Sequence, residues 1–302
     1  METRLLGKTG MSVSILGFGG AEIGYNAVDK NSVTQMLNEA LDAGLNLIDT
    51  AECYSNGSQS SEELIGHAVS HRRSEYFLFT KCGHASGLST PDWHPETITN
   101  SIERSLKRLR TDYIDLLQLH SCDLDVLKQG DVIETVQRAC QAGKVRFVGY
   151  SGDNEEAQYA VLCGAFQTLQ CSLNLFDQSP LEKTIPLAHE NNIGVIIKRP
   201  LGNVVWTYTT TPPNSYHTEY WERSRVLNYQ SIFPDANQML STALKFPLSQ
   251  PGVHTAIVGT TNPNRWKENA KILETGLITP SEIDIIRNIW NQKSTTNWVA
   301  LR

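Results

Sequence analysis

The sequence predicts an α/β protein folded as a closed (β/α)8 TIM barrel, and three observations predict it. Eight short apolar runs alternate with segments of helical period. The runs are apolar on nearly every residue, as in parallel strands covered on both faces. The length, 302 residues, is one at which such a barrel closes as a single unit, so one domain over 1–302 is expected.

Residues 3–12 carry Gly7, Gly10 and Ser12 among apolar and basic residues and read as an amino-terminal β-hairpin, placed to close the bottom of the barrel. The first barrel strand, 14–20, runs into glycines. A helix at 31–43 follows, with helical spacing at Val33, Met36, Leu37, Ala40 and Leu41 before Gly44 stops it. Further strands fall at 46–49, 76–80, 113–119, 145–150, 167–172, 193–198 and 254–258. Helices near 60–70, 96–109, 131–142, 154–163, 181–191, 235–245 and 263–273 separate and follow them. An extra carboxyl-terminal helix, 281–292, starts after Pro280 with Ser281 as its cap. The rhythm breaks at 202–234, which is rich in Thr, Pro, Asn and aromatic residues, including Trp206, Tyr208, Tyr216, Tyr220 and Trp221. A long insertion after the seventh strand is placed to act as a substrate lid, shaping an aromatic pocket with Trp93 and Trp298.

Composition narrows the function. A chain 40% hydrophobic and 19% charged is an ordinary globular one, and a net charge of -6 leaves no basic excess to neutralise nucleic-acid phosphates. No run approaches the roughly 18 apolar residues of a membrane span, and no apolar leader follows Met1-Glu2-Thr3-Arg4, so a cytoplasmic protein without nucleic-acid or membrane partners is expected. The six cysteines form no C-x-x-C pair and read as reduced thiols, with Cys53 and Cys82 next to Tyr54 and Lys81, where a redox sensor would sit. His67 and His71 stand four apart on a predicted helix without a third ligand nearby, so no metal is expected.

Successive apolar runs end in Asp49, Lys81, His120 and Ser151, and Tyr54 lies five residues beyond Asp49. In a parallel barrel every strand exit lies on one rim, where active sites sit. The groups suit one chemistry. A phenol with a pKa of about 10 needs help to exchange a proton near neutrality. Lys81 is expected to favour the phenolate, Asp49 to hold the ammonium, and His120 to share the proton or bond a substrate oxygen. Reduction of a carbonyl requires such a donor once hydride reaches carbon.

These residues give the chain its resemblance to the aldo-keto reductase family, which covers nearly the whole sequence. Arg4-Leu5-Leu6-Gly7-Lys8-Thr9-Gly10-Met11-Ser12-Val13-Ser14 is similar to that family's hairpin. Asp49-Thr50-Ala51-Glu52-Cys53-Tyr54, followed by Ser61-Glu62-Glu63-Leu64-Ile65-Gly66, resembles its first signature, and Thr80-Lys81 and Leu119-His120 match two further catalytic positions. The resemblance implies Tyr54 as general acid or base, Lys81 and Asp49 tuning it, and His120 orienting the carbonyl. It implies NADP(H), with NAD as the alternative, bound without a dinucleotide fingerprint, because Gly17-Phe18-Gly19-Gly20 opens no such motif. The implied cofactor residues are Gly20, Ala21 and Asp49; Ser151, Gly152 and Gln170 at the carboxamide; Arg199 and Pro200-Leu201-Gly202 at the phosphates; and Gly259, Thr260, Thr261, Arg265, Glu268 and Asn269 around the adenosine. A strand, a glycine turn and a helix start there would favour an anion.

Several positions depart from the family pattern: Gly152 replaces an Asn, Leu173 a stacking Tyr, Arg199 a small residue and Gly259 a Lys, and the loop from Tyr54 to Ser61 is slightly long. The implied activity is interconversion of a small-molecule carbonyl and its alcohol. The alternatives are a nucleotide-binding regulatory or redox-sensor subunit, as the family's channel-associated members suggest, and a barrel with isomerase or lyase chemistry.

Overall fold

The computed structural model describes residues 1–301. Two short antiparallel strands, β1 (Thr3–Leu5) and β2 (Ser12–Ser14), precede eight parallel ones. These are β3 (Leu16–Gly19), β4 (Leu47–Asp49), β5 (Phe77–Cys82), β6 (Ile114–His120), β7 (Val145–Ser151), β8 (Thr168–Ser172), β9 (Gly194–Lys198) and β10 (Thr255–Gly259). Each pairs with the next, and β10 pairs with both β9 and β3, so the barrel closes as expected.

Side chains alternate along a strand, so two layers fill the interior. The lower layer includes Leu47, Phe79, Leu116, Ile196 and Ile257, packed on Leu6, Met11 and Val13 of the hairpin. The hairpin therefore plugs the bottom, as its sequence implied. Gly7, with φ of 50°, makes the turn against β9: a Cβ there would lie 2.3 Å from the Gly194 nitrogen. One step up each strand, the same faces present Asp49, Lys81 and Gln118, all buried.

Amphipathic helices cover the outside. Ser60 and Glu63 form a reciprocal capping box on helix Ser61–Val69. Thr279 and Glu282 do the same for the last helix, Pro280–Lys293. The cap is thus Thr279 rather than the expected Ser281, and Pro280 takes the first turn, where its missing N–H is no loss. Three helices escaped the sequence reading: Ala21–Tyr25, Leu124–Gln129 and Thr218–Leu227.

The last of these lies in the insertion, which is folded and anchored. Tyr220 Oη donates to Asp177 at 2.9 Å, Arg223 donates to the carbonyls of Phe176 and Val299 at 3.3 and 2.7 Å, and Tyr229 Oη donates to the Ile286 carbonyl at 3.0 Å. Trp206 packs on Phe176 with ring centres 5.9 Å apart, and Trp298 packs on Trp290 at 5.5 Å. Both rings take part in the packing around the insertion, Trp206 buried and Trp298 half-buried.

Beneath the rim, two carboxylates that follow β4 are fully buried. Glu52 Oε1 accepts the backbone N–H groups of Gly83 and His84 at 3.0 and 3.1 Å, and Arg104 reaches Oε2 at 3.4 Å. Glu62 accepts from Thr80 Oγ1 at 2.7 Å, with Arg108 3.5 Å away. Burial, then the charge of Glu62, pushes the Glu52 carboxyl up to about 8. Glu62 is likewise raised by burial.

Two predictions concern stability. Between the ordinary 4.5 and about 8 the unfolded chain releases the Glu52 proton and the fold keeps it, so stability falls as pH rises through that window. Glu52→Gln should lose less stability than the wild type between pH 5 and 8, by about 3 kcal/mol. Urea melts at the two pH values measure this, and parallel losses would mean that Glu52 is ionised in the fold. Gly66→Ala should destabilise by ~1–3 kcal/mol despite the better helix propensity of alanine, because the new Cβ would stand 2.2 Å from the Arg108 carbonyl oxygen. A thermal melt at or above the wild-type midpoint would contradict it.

Candidate active site

The strand period and the pairing register assemble the rim. Asp49 is the last residue of β4, Lys81 lies opposite Gln118 in the β5–β6 pair, and His120 lies opposite Ser151 in the β6–β7 pair. Lys81 Nζ donates to Asp49 Oδ1 and to the Thr50 carbonyl at 2.8 Å, and both members of this ion pair are 1% exposed at the side chain. Asp49 Oδ2 accepts from Gln118 Nε2 at 3.0 Å and Gln170 Nε2 at 2.8 Å. Gln170 Oε1 accepts from Ser151 Oγ at 3.2 Å. A carboxylate with one oxygen on an ammonium and the other on two amides is fixed in orientation.

The loop after β4 folds Tyr54 back over this pair. Its phenol oxygen lies 3.4 Å from Lys81 Nζ, which also sits 5.0 Å from the ring centre. Helix Ala21–Tyr25 passes close against the turn because residue 24 is glycine: a Cβ there would lie 2.5 Å from the Tyr54 carbonyl oxygen. Tyr25 then meets the Tyr54 ring edge-on at 5.4 Å. On the other side stand His120 at 5.7 Å, then His84 at 5.4 Å from His120 and Trp93 at 5.3 Å from His84. Trp93 thus flanks the site as expected, reached through His84. From the insertion, Tyr216 comes nearest, its ring 4.9 Å from the Arg199 guanidinium.

Electrostatics sharpen the assignment. Burial, and next the charge of Asp49, hold the Tyr54 phenol well above its ordinary value, so it is protonated near neutrality. Burial, then Lys81 and the cations behind it, pushes His120 well below 6.5, so its imidazole is neutral. The site therefore offers a protonated phenol and a neutral ring N–H, both hydrogen-bond donors.

The remaining sequence-predicted residues occupy a continuous arc. Ser151 ends β7 and Gly152 follows it, Gln170 is in β8, Arg199 to Gly202 leave β9, Gly259 ends β10 with Thr260 and Thr261 after it, and Gly20 and Ala21 leave β3. Asp49, Lys81 and His120 fill the rest of the rim. Gly19 pairs with Gly259, and a Cβ on Gly259 would meet Glu22 Cγ at 2.9 Å. Past this seam, Thr260 Oγ1 accepts the Asn262 N–H at 2.9 Å, and helix Arg265–Glu274 begins. Arg265 pairs with Glu268 at 2.7 Å on the surface, while Asn269 is buried with Oδ1 unpartnered among the described residues.

Some departures from the family pattern now have physical reasons. Gly152 is required because the Tyr150 ring fills the space a side chain would need, 2.5 Å from a Cβ. Arg199, at the β9 exit, donates to the Leu301 carbonyl and to Ser172 Oγ. Leu173 is fully buried in the core. His67 and His71 fall on different elements, helix Ser61–Val69 and the turn Ser70–Glu75, and no cluster of three or more metal-binding side chains occurs among the described residues. All six cysteines are free.

Sequence reasoning missed Gln118, Glu52 and His84. The signal for Gln118 was present: a polar residue two before His120 in an otherwise apolar run lies on the same face as His120. Nothing local marks Glu52 or His84.

Known proteins share both fold and sequence with this chain. Its sequence is 28% identical to an uncharacterised oxidoreductase, YqkF, of Bacillus subtilis, over 95% of this chain and 96% of that one. It is 29% identical to L-galactose dehydrogenase of Arabidopsis thaliana, over 89% of this chain and 87% of that protein. The holo form of an aldo-keto reductase from Bacillus halodurans superposes with a TM-score of 0.82 at 26% identity, covering 96% of each chain. Among the described residues no helix is long and apolar enough to cross a membrane. The model of the aldo/keto reductase family matches residues 15–291, which takes in every barrel strand and every rim residue described above, and the chain belongs to that family of oxidoreductases.

Proposed function

We propose that this protein is a nicotinamide-dependent oxidoreductase that interconverts an aldehyde or ketone and its alcohol, with Tyr54 as the proton donor. The observation that carries the reading is the Tyr54 phenol itself. It is held protonated by burial and Asp49, lies 3.4 Å from the Lys81 ammonium, and stands beside a neutral His120.

The residues of the arc fit a nicotinamide dinucleotide. Asn269 keeps a buried acceptor without a protein donor among the described residues, and Gly259, half-buried, ends β10 beside Gly19 at the β10–β3 seam. Ser151, Gly152 and Gln170 would hold the carboxamide, Pro200, Leu201 and Gly202 the pyrophosphate, and Thr260, Thr261, Arg265, Glu268 and Asn269 the adenosine. When bound, the reduced nicotinamide supplies a hydride to the carbonyl carbon. Tyr54 gives its proton to the carbonyl oxygen, and His120 donates a hydrogen bond to the same oxygen and fixes its place. Lys81 stabilises the phenolate left behind, and Asp49 keeps the ammonium turned toward it through the shared ion pair. Alcohol oxidation runs the same proton path backwards. NADPH is the proposed cofactor because Arg265, on the surface and paired with Glu268, can turn to a 2′-phosphate.

The deciding experiment follows loss of reduced-nicotinamide absorbance with NADPH and with NADH against aldehydes, ketones and sugars. Tyr54→Phe should lower kcat by roughly 10²- to 10⁴-fold and leave nucleotide affinity unchanged. Nucleotide binding without turnover in either direction would favour a regulatory subunit, and absence of nucleotide binding would overturn the reading. Arg265→Ala should weaken NADPH by about tenfold and NADH hardly at all, as measured by fluorescence titration. Equal weakening of both would remove Arg265 from the 2′-phosphate.

A further inference from the structure

Among the described residues, one side chain hydrogen-bonds the His120 ring and is able to set its proton. Cys53 Sγ lies 3.4 Å from Nδ1. Nε2 makes no hydrogen bond to a described residue and is not among the polar atoms sealed from the surface without a partner, so it opens onto the rim. A neutral imidazole carries one ring proton, and whichever nitrogen accepts a hydrogen bond leaves that proton on the other.

We propose that Cys53 is a positioning residue whose thiol donates to His120 Nδ1 and so fixes the ring in the tautomer with its proton on Nε2, facing the substrate. The catalytic consequence rests on the role given to His120 under Proposed function. The direction of the bond follows from donor and acceptor quality. A thiol is a weak donor and its sulfur a weaker acceptor, whereas a bare imidazole nitrogen accepts well. Both partners hold the required protonation state near neutrality. Burial pushes the Cys53 thiol up to about 11, which keeps its proton on sulfur. Burial and the charges of Lys81, His84, Lys198 and Arg199 keep the imidazole neutral.

The ring is also confined against turning over. Tyr54 stands edge-on to it at 81°, with centres 5.7 Å apart. His84 lies against it at 5.4 Å and 64°, and is itself held by Trp93 and by the bond from its backbone N–H to Glu52. A ring flip would present carbon to the thiol and lose the bond. Cys53 thus governs which atom of His120 faces the carbonyl without touching the substrate oxygen itself.

The test reads the tautomer directly. Long-range ¹H–¹⁵N correlation spectra of protein labelled with ¹⁵N-histidine, with His120 assigned by its loss in His120→Gln, should show a protonated Nε2 and a bare Nδ1 at pH 7. Cys53→Ala should shift both nitrogens toward averaged values, and Cys53→Ser, whose hydroxyl is a better donor, should restore the wild-type pattern. In the carbonyl assay, Cys53→Ala should lower kcat by roughly 10- to 100-fold with nucleotide affinity unchanged, and Cys53→Ser should recover most of it. A proton on Nδ1 in the wild type overturns the proposal, as does an unchanged tautomer in Cys53→Ala. If the wild type turns over no carbonyl, the oxidoreductase reading fails while the spectra still decide this one.

Discussion

The upper half of this barrel depends on one buried charge. The Lys81 ammonium lies where water does not reach, at 0% exposure, and an isolated charge there would cost many kcal/mol. Asp49 neutralises it, and the remaining carboxylate oxygen then needs donors of its own, which Gln118 and Gln170 supply from two further strands. Removing one partner from such a pair costs about 3–5 kcal/mol, because the other charge is left stranded. The requirement couples β4, β5, β6 and β8 through side chains as well as backbone. It also fixes an ammonium beside the phenol of Tyr54, so one electrostatic necessity supports both the fold and the candidate chemistry.

Tyr54 shows how much a local reading omits. On the strand pattern alone, Asp, Lys and His at successive exits were visible, since an apolar run ending in a polar group is a one-dimensional signal. Their meeting at one rim followed from the barrel. The protonation state of the phenol did not follow, because it depends on the balance between a lysine at 3.4 Å and the burial and Asp49 charge that outweigh it. Glu52 was illegible for the same reason. In the sequence it is one acid in a polar stretch, and only the fold puts Gly83 and His84 N–H groups against one oxygen and seals it from water. The insertion failed differently. The buried face of helix Thr218–Leu227 sets Arg223 and Ser224 beside Tyr220 and Leu227, so no apolar stripe marks it in the sequence, and Trp206 and Trp298 pack on Phe176 and Trp290.

The rim divides into two chemically distinct arcs. Exits of β4, β5 and β6 carry the titratable groups Asp49, Lys81 and His120, whereas those of β7, β8, β9, β10 and β3 carry glycines, small polar residues and a helix start. The first arc is built on fixed, buried charge. In the second, Gly152 and Gly259 are glycines because neighbouring Tyr150 and Glu22 already fill the space in which a side chain would stand. Arg199, at the β9 exit, ties this arc to the chain's last residues through bonds to the Leu301 carbonyl and Ser172.

The hairpin plug bears on how the chain reaches its native state. Arg4 bonds the carbonyls of Leu248 and Val253, and Thr255 Oγ1 donates to the Ser14 carbonyl across 241 positions of sequence. Contacts this remote impose a large loop-closure entropy before they return any stabilisation, which slows folding. Asp49 and Lys81, 32 positions apart, can meet early. The floor and the final seam between β10 and β3 must wait for the last strand, so a nascent chain carries a half-built rim with an open interior until its closing segment leaves the ribosome.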